Sequence, residues 1–87
     1  MYLRDVEYVL AVASCGSFSR AARQLYITQP GLSKYIQKLE AQLGTPLFVR
    51  RHGKISLTPF GAEFVIRAQM IHNICAELGR ALAQRTG

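Results

Sequence analysis

Apolar residues recur along this chain with one period, then another, then the first again, which predicts helices around a short hairpin. From Met1 to Ser14 the positions Leu3, Val6, Leu10 and Ala13 keep helical spacing, and Val9 and Val12 widen the stripe. Cys15-Gly16-Ser17 ends this first helix, with Gly16 as the natural stop. Ser17 then caps a second, short helix from Phe18 to about Leu25. Phe18, Ala21, Ala22 and Leu25 share its inner face, where the two alanines permit close approach of a neighbour. Tyr26 and Ile27 form a brief turn before Thr28.

The third helix carries the most informative pattern. Thr28 suits the N-cap, Pro30 falls in the first turn where its missing N–H does no harm, and Gly44 suits the position after the last turn. Leu32, Ile36, Leu39 and Leu43 make one apolar stripe. The opposite face carries Pro30, Ser33, Lys34, Gln37 and Lys38, which are small, amide-bearing or cationic. Two helices joined by a few residues, the second with a polar outer face, describe a helix-turn-helix.

Beyond Gly44 the period changes. Leu47-Phe48-Val49-Arg50 and Ile55-Ser56-Leu57 have strand character around a polar turn, Arg51-His52-Gly53-Lys54. Such a hairpin is marginal alone and must lean on the helices. Thr58-Pro59 then starts the longest helix, which runs to about Gln84, or about 39 Å at 1.5 Å per residue. Phe64, Ile71 and Leu78 lie seven apart, with Ala68, Cys75 and Leu82 between them, and Val65, Met70 and Ile74 form a second strip. The first turns are expected to pack on the first helix, and the remainder against the same helix of a second copy.

Composition narrows the partner. A net charge of +6 with pI near 9.9 on 87 residues favours an anionic one, nucleic acid first and an anionic membrane surface second. Asp5 and Glu7 stand where a secretory leader would be basic and apolar, and no uncharged apolar run approaches the ~20 residues that span a bilayer. Cys15 and Cys75 lack metal-ligand or redox spacing, and are expected to be reduced, half-buried residues of a cytoplasmic protein. No nucleophile–base pair, phosphate loop or metal motif points to an enzyme or a cofactor, and His52 and His72 are far apart.

Half of the net charge, Arg50, Arg51 and Lys54, falls between residues 45 and 57 with no acid among them. That suits a clamp on phosphates; the alternative is a solvated turn kept charged to block edge pairing. On the third helix Gln29 and Gln37 can both donate and accept, which suits base edges, adenine above all. Lys34 can reach guanine or a phosphate, Ser33 fits closely against either, and Lys38 adds charge on the same face. The free N–H groups at the start of this helix, and of the helix that contains Ser17 and Ser19, can hold phosphate oxygens.

Three runs carry a further resemblance: Gly16-Ser17-Phe18-Ser19-Arg20-Ala21-Ala22-Arg23-Gln24-Leu25, then Thr28-Gln29-Pro30-Gly31-Leu32-Ser33, then Leu39-Glu40-Ala41-Gln42-Leu43-Gly44. Together with Pro46-Leu47-Phe48-Val49-Arg50 and Leu57-Thr58-Pro59-Phe60-Gly61, they closely resemble the N-terminal DNA-binding domain of LysR-type transcriptional regulators. The resemblance implies a mainly α fold: a winged helix-turn-helix of three helices and a two-stranded hairpin over 1–58, then a linker and dimerisation helix over 59–87. It implies a dimer that binds pseudo-palindromic promoter DNA, with helix 28–43 in the major groove and wing 47–57 on the minor groove or backbone. By position it places Gln29, Pro30, Ser33 and Lys34 on DNA. The linker helix, through Phe64, Ala68, Ile71, Cys75, Leu78 and Leu82, would join two copies. Gly31 stands where the family usually has alanine, so a looser first turn is expected, and Lys34 where arginine is frequent. Such regulators continue into an effector-binding domain of periplasmic-binding-protein type. The chain is therefore expected to be a piece of a longer regulator, which leaves room for a tetramer and for a small-molecule effector bound elsewhere. The rival readings are a winged-helix protein-interaction module and a basic surface for RNA or anionic lipid.

Overall fold

The computed structural model describes residues 1–86, in the order α1 (Leu3–Cys15), α2 (Phe18–Gln24), α3 (Gln29–Leu43), β1 (Phe48–Arg51), β2 (Lys54–Leu57) and α4 (Pro59–Thr86). Gly87, the last residue of the expected linker region, lies outside the described residues. Local chemistry sets most of these boundaries. Ser17 Oγ accepts from Arg20 N–H at 3.2 Å, Thr28 Oγ1 from Gly31 N–H at 3.1 Å, and Thr58 Oγ1 from Gly61 N–H at 2.9 Å. Each cap satisfies one donor that the first helical turn leaves without a partner. Gly16 and Gly44 close α1 and α3 in the left-handed conformation, where a side chain would be strained.

The core gathers Val9 and Val12 of α1, Phe18, Ala21 and Ala22 of α2, and Leu32, Ile36 and Leu39 of α3, closed by Leu47 and Phe48. The alanine pair of α2 is buried, as its close approach to α1 and α3 requires. On α1 the buried stripe is rotated from the expected one. Leu3 is exposed, Leu10 and Ala13 are half-buried, and Val6, Val9 and Val12 point inward together with Asp5. A long-range pair fixes that rotation: the Tyr35 hydroxyl of α3 donates to Asp5, whose other oxygen accepts the Tyr2 N–H at 2.8 Å. With both oxygens engaged, the carboxylate tolerates burial.

β1 and β2 pair antiparallel in the register Phe48↔Leu57, Val49↔Ser56, Arg50↔Ile55 and Arg51↔Lys54. The turn is only His52-Gly53, shorter than the four residues expected. Both residues have positive φ (52° and 73°), the two-residue geometry whose twist matches paired strands, so Arg51 and Lys54 belong to the strands. The hairpin is held at its base by α4. Thr58 N–H donates to Leu47 carbonyl at 3.0 Å, and Thr58 Oγ1 donates to Pro46 carbonyl at 2.8 Å. Gly61 lies so close that a Cβ there would meet the Leu47 carbonyl oxygen at 2.0 Å.

α4 sets the long dimension of the molecule, 49 × 25 × 20 Å. Its first turns pack on α1 as expected, with Ala68 buried and Phe64 and Val65 half-buried. Further along, Ile66, Met70, Ile74, Leu78 and Leu82 are all more than half exposed, and Ile71 is exposed to 39%. Cys75 is exposed too, contrary to the half-buried expectation, as it lies on the stretch of α4 where Ile71, Ile74 and Leu78 are also uncovered. Cys15 is half-buried and its thiol donates to Gln24 Oε1 at 3.3 Å.

Candidate nucleic-acid interface

The polar residues singled out from the sequence are drawn together where α2 begins, α3 begins and the wing folds back. A cleft of about 240 Å³ is lined by Ser17, Ser19, Gln29, Arg50 and Lys54, with Phe18 and Ile55 as its apolar floor. Beside it, a groove of about 190 Å³ runs between Ser33, Gln37, Glu40 and Arg50. Pro30, Lys34 and Gln37 stand exposed on the outer face of α3. Arg51 and Lys54 are exposed next to the hairpin turn, directly opposite each other across the strands. Like charges so placed repel, and among the described residues neither has an acidic partner.

Within this surface the side chains are tied to one another. Gln29 Nε2 donates to Ser33 Oγ at 2.9 Å, one helical turn on, and Arg50 Nη2 donates to the same oxygen at 3.1 Å. The Arg50 guanidinium lies 3.9 Å over the Phe18 ring, a cation–π contact, and that ring meets Phe48 edge-on with centroids 6.0 Å apart. Arg50 thus folds back onto α2 and α3, whereas Arg51 and Lys54 remain at the tip.

Lys38 is the one expected contact residue of α3 that the fold sets apart. It lines a small cavity with Tyr2, Asp5 and Tyr35 on the flank facing α1, away from the wing. Gly31 sits in the capped first turn of α3. Its N–H is held by Thr28, and a Cβ at this position would come within 2.8 Å of Thr28 Oγ1. An alanine there would ask only the Thr28 hydroxyl to shift.

Two further residues shape this surface beyond those singled out from the sequence. Glu40 Oε2 accepts the N–H groups of Leu47 at 2.6 Å and Phe48 at 3.2 Å, so a carboxylate of α3 clamps the start of β1. This fixes the wing relative to the outer face of α3. Phe18, read only as core, is also the platform for Arg50. The sequence offers a weak signal for the first of these, an acid on the flank of α3 nearest the cationic hairpin, and none for the second. On α4, Phe64 and Ala68 are engaged within their own chain, while Ile66 adds an exposed apolar position outside the expected heptads. Tyr35, at 4.6 Å from the Tyr8 ring centroid, has its hydroxyl pushed up to about 12 by burial and by its bond to Asp5.

Comparison with known proteins agrees with this geometry. The family model described as bacterial regulatory helix-turn-helix protein, lysR family, matches residues 3–62. The chain is 42% identical over 86 residues to an uncharacterised HTH-type transcriptional regulator, YcgK, of Bacillus subtilis (strain 168), covering 99% of this chain and 26% of that protein. It is 49% identical over 72 residues to a probable RuBisCO transcriptional regulator of Cyanidioschyzon merolae (strain NIES-3377 / 10D), covering 83% of this chain and 24% of that protein. These relatives are named as transcriptional regulators, not enzymes, and the chain spans about a quarter of their length. Among solved structures, it matches the DNA-binding domain of CbnR in a DNA complex, with TM-score 0.85 and 33% identity over the whole of both chains. It also matches the BenM DNA-binding domain in complex with catB site 1 DNA, with TM-score 0.86 and 35% identity over 100% of this chain and 98% of that one. The chain therefore belongs to the LysR family of bacterial regulatory helix-turn-helix proteins, and its fold is the winged-helix DNA-binding domain of that family.

Proposed function

We propose that this chain binds double-stranded promoter DNA, sequence-specifically and as a homodimer, in order to regulate transcription in the cytoplasm. α3 enters the major groove with Gln29, Pro30, Ser33, Lys34 and Gln37 toward base edges. Ser17, Ser19 and Thr28 lie along the phosphates, and Lys38 meets a phosphate at the rim. The wing rests Arg51 and Lys54 on the backbone or in the minor groove, with Arg50 at its root. The observation that carries this reading is the convergence of cationic and amide side chains from α2, α3 and the hairpin on one cleft. The facing pair Arg51 and Lys54 adds weight, because an anionic partner would relieve the repulsion between them.

Residues 1–58 form the DNA-binding unit in this reading, and 59–87 the linker that joins two copies. The exposed apolar face of α4, from Ile71 through Leu78 and Leu82, supports a second copy as its cover, with Cys75 at its margin and Phe64 and Ala68 anchoring it to the body. Any small-molecule effector, and any tetramer, would depend on a domain outside this chain. Among the described residues no helix is long and apolar enough to cross a membrane. Selection of bound sites from random duplex DNA tests the proposal. A pseudo-palindrome is expected whose half-sites lie about 10–10.5 bp apart, or a multiple, so that two recognition helices reach one face. A bound pool without any enriched sequence would overturn it.

A further inference from the structure

We infer that Gly61 and Thr58 are positioning residues for half-site spacing: the joint they form on Leu47 locks α4 to the DNA-reading body, so that a dimer accepts one separation of half-sites. This rests on the dimeric DNA-binding reading above and assigns part of its specificity to residues outside the reading face. Leu47 is the meeting point of three elements. Its side chain is fully buried in the core. Its N–H donates to Glu40 of α3 at 2.6 Å, and its carbonyl accepts from the N–H of Thr58, just ahead of α4, at 3.0 Å. The Thr58 hydroxyl donates to the Pro46 carbonyl at 2.8 Å, while its oxygen accepts from the Gly61 N–H at 2.9 Å. One side chain thus caps α4 and ties it to the root of the wing. Gly61 presents bare backbone at this point: an added Cβ would overlap the Leu47 carbonyl oxygen and lie 2.9 Å from its carbon. The missing Cβ is what lets the two backbones approach.

The recognition helix and the linker helix therefore share the backbone of one residue as their joint. Leu47 is held by the core on one side and by Glu40 on the other, so anything that thickens the joint must tilt α4. The next hold on α4 is Ala68, buried where α4 packs on α1 and about 10 Å along the axis from Gly61. Lifting the Gly61 end by roughly 1 Å about that point tilts the helix by on the order of 5° and carries Leu78 sideways by about 1.5 Å. In a dimer both copies tilt, and the two recognition helices change their separation and mutual angle. One base pair advances the duplex by about 3.4 Å and about a tenth of a turn, so two such tilts amount to a sizeable part of one step.

The test uses the whole chain on duplexes that carry two selected half-sites, at the selected spacing and at spacings changed by one or two base pairs. Wild type, G61A, T58A, T58S and G79A are compared. Wild type should lose roughly ten-fold or more in affinity at every altered spacing, since only simultaneous engagement of both half-sites gives the combined affinity. G61A, and T58A through loss of the hydroxyl tie, should flatten that loss to within about three-fold or move the optimum to another spacing. Base preferences within a half-site should stay in place. T58S keeps the hydroxyl and should match wild type. G79A makes the same substitution where a Cβ meets nothing within 4 Å, and should keep the wild-type spacing profile. G61A and T58A weakening all spacings by a common factor, with the profile retained, would overturn the inference and make the joint structural only. G79A flattening the profile as G61A does would also overturn it, by tracing the effect to helix propensity. Should G61A fail to fold, T58A decides alone. A wild type without any base preference would sink the DNA-binding reading itself, which separates the two failures.

Discussion

Glu40 and Asp5 show how single carboxylates fix the packing of the wing and of α1 against α3. Glu40 accepts two backbone N–H groups at the root of the wing, and bonds to a charged acceptor are worth more than neutral ones. Replacement with alanine should lower stability by about 1–3 kcal/mol in urea unfolding and speed amide exchange at Leu47 and Phe48 before the rest of the core. Unchanged protection there would mean that the wing is held by the Thr58 contacts alone. Tyr35 and Asp5 make a second prediction, through pH. Folding keeps the Tyr35 hydroxyl protonated, since its value rises from 10.0 to about 12. The stabilisation is therefore full below pH 10, where the unfolded phenol is also protonated, and is lost as pH climbs through about 12. Over that window the wild type should lose stability more steeply than Y35F, as followed by circular dichroism. Parallel curves would contradict the pairing. At the reading face, Q29A and S33A should each relax base preference and cost about 1–3 kcal/mol on the best site.

At the scale of elements, α4 divides into an inner half used by its own chain and an outer half left apolar. Aspartate at Ile71 and Leu78 should give monomers in sedimentation and weaken binding to a two-half-site duplex, while Ala68, already buried, should matter to folding first. Dimers that persist unchanged would place the interface elsewhere. Elements of this kind were legible in the sequence because their signals are local. Ser17, Thr28 and Thr58 cap the helices they precede, and Gly16 and Gly44 end the ones they follow. The two-residue turn is not legible in the sequence because it needs a positive φ at His52 as well as at Gly53, and few non-glycine residues adopt one. The rotation of α1 is not legible there either, because it depends on Asp5 meeting Tyr35 thirty residues away. The same limit hid the Glu40 clamp and the Arg50–Phe18 platform, which join residues that no periodicity relates. The candidate site was thus readable as a set of residues on α3 and the hairpin, but not as a network. Lys38 belonged to the polar face by angle, and only the fold shows it turned toward α1.

For the whole molecule, the charge distribution and the shape make one connected claim. Eleven cations and five acids give a basic body, and α4 projects from it far enough to pair with a copy. Neutralising several phosphates releases condensed counterions, so affinity should fall steeply with salt. The most direct test is titration of the protein onto its selected duplex and onto a scrambled one across a range of salt. The predicted result is a slope of log affinity against log salt near −0.9 per phosphate contact on both duplexes, several contacts in all, with the selected duplex bound more tightly throughout. A flat slope, or equal affinity for the two duplexes at every salt concentration, would contradict sequence-specific DNA binding by this domain.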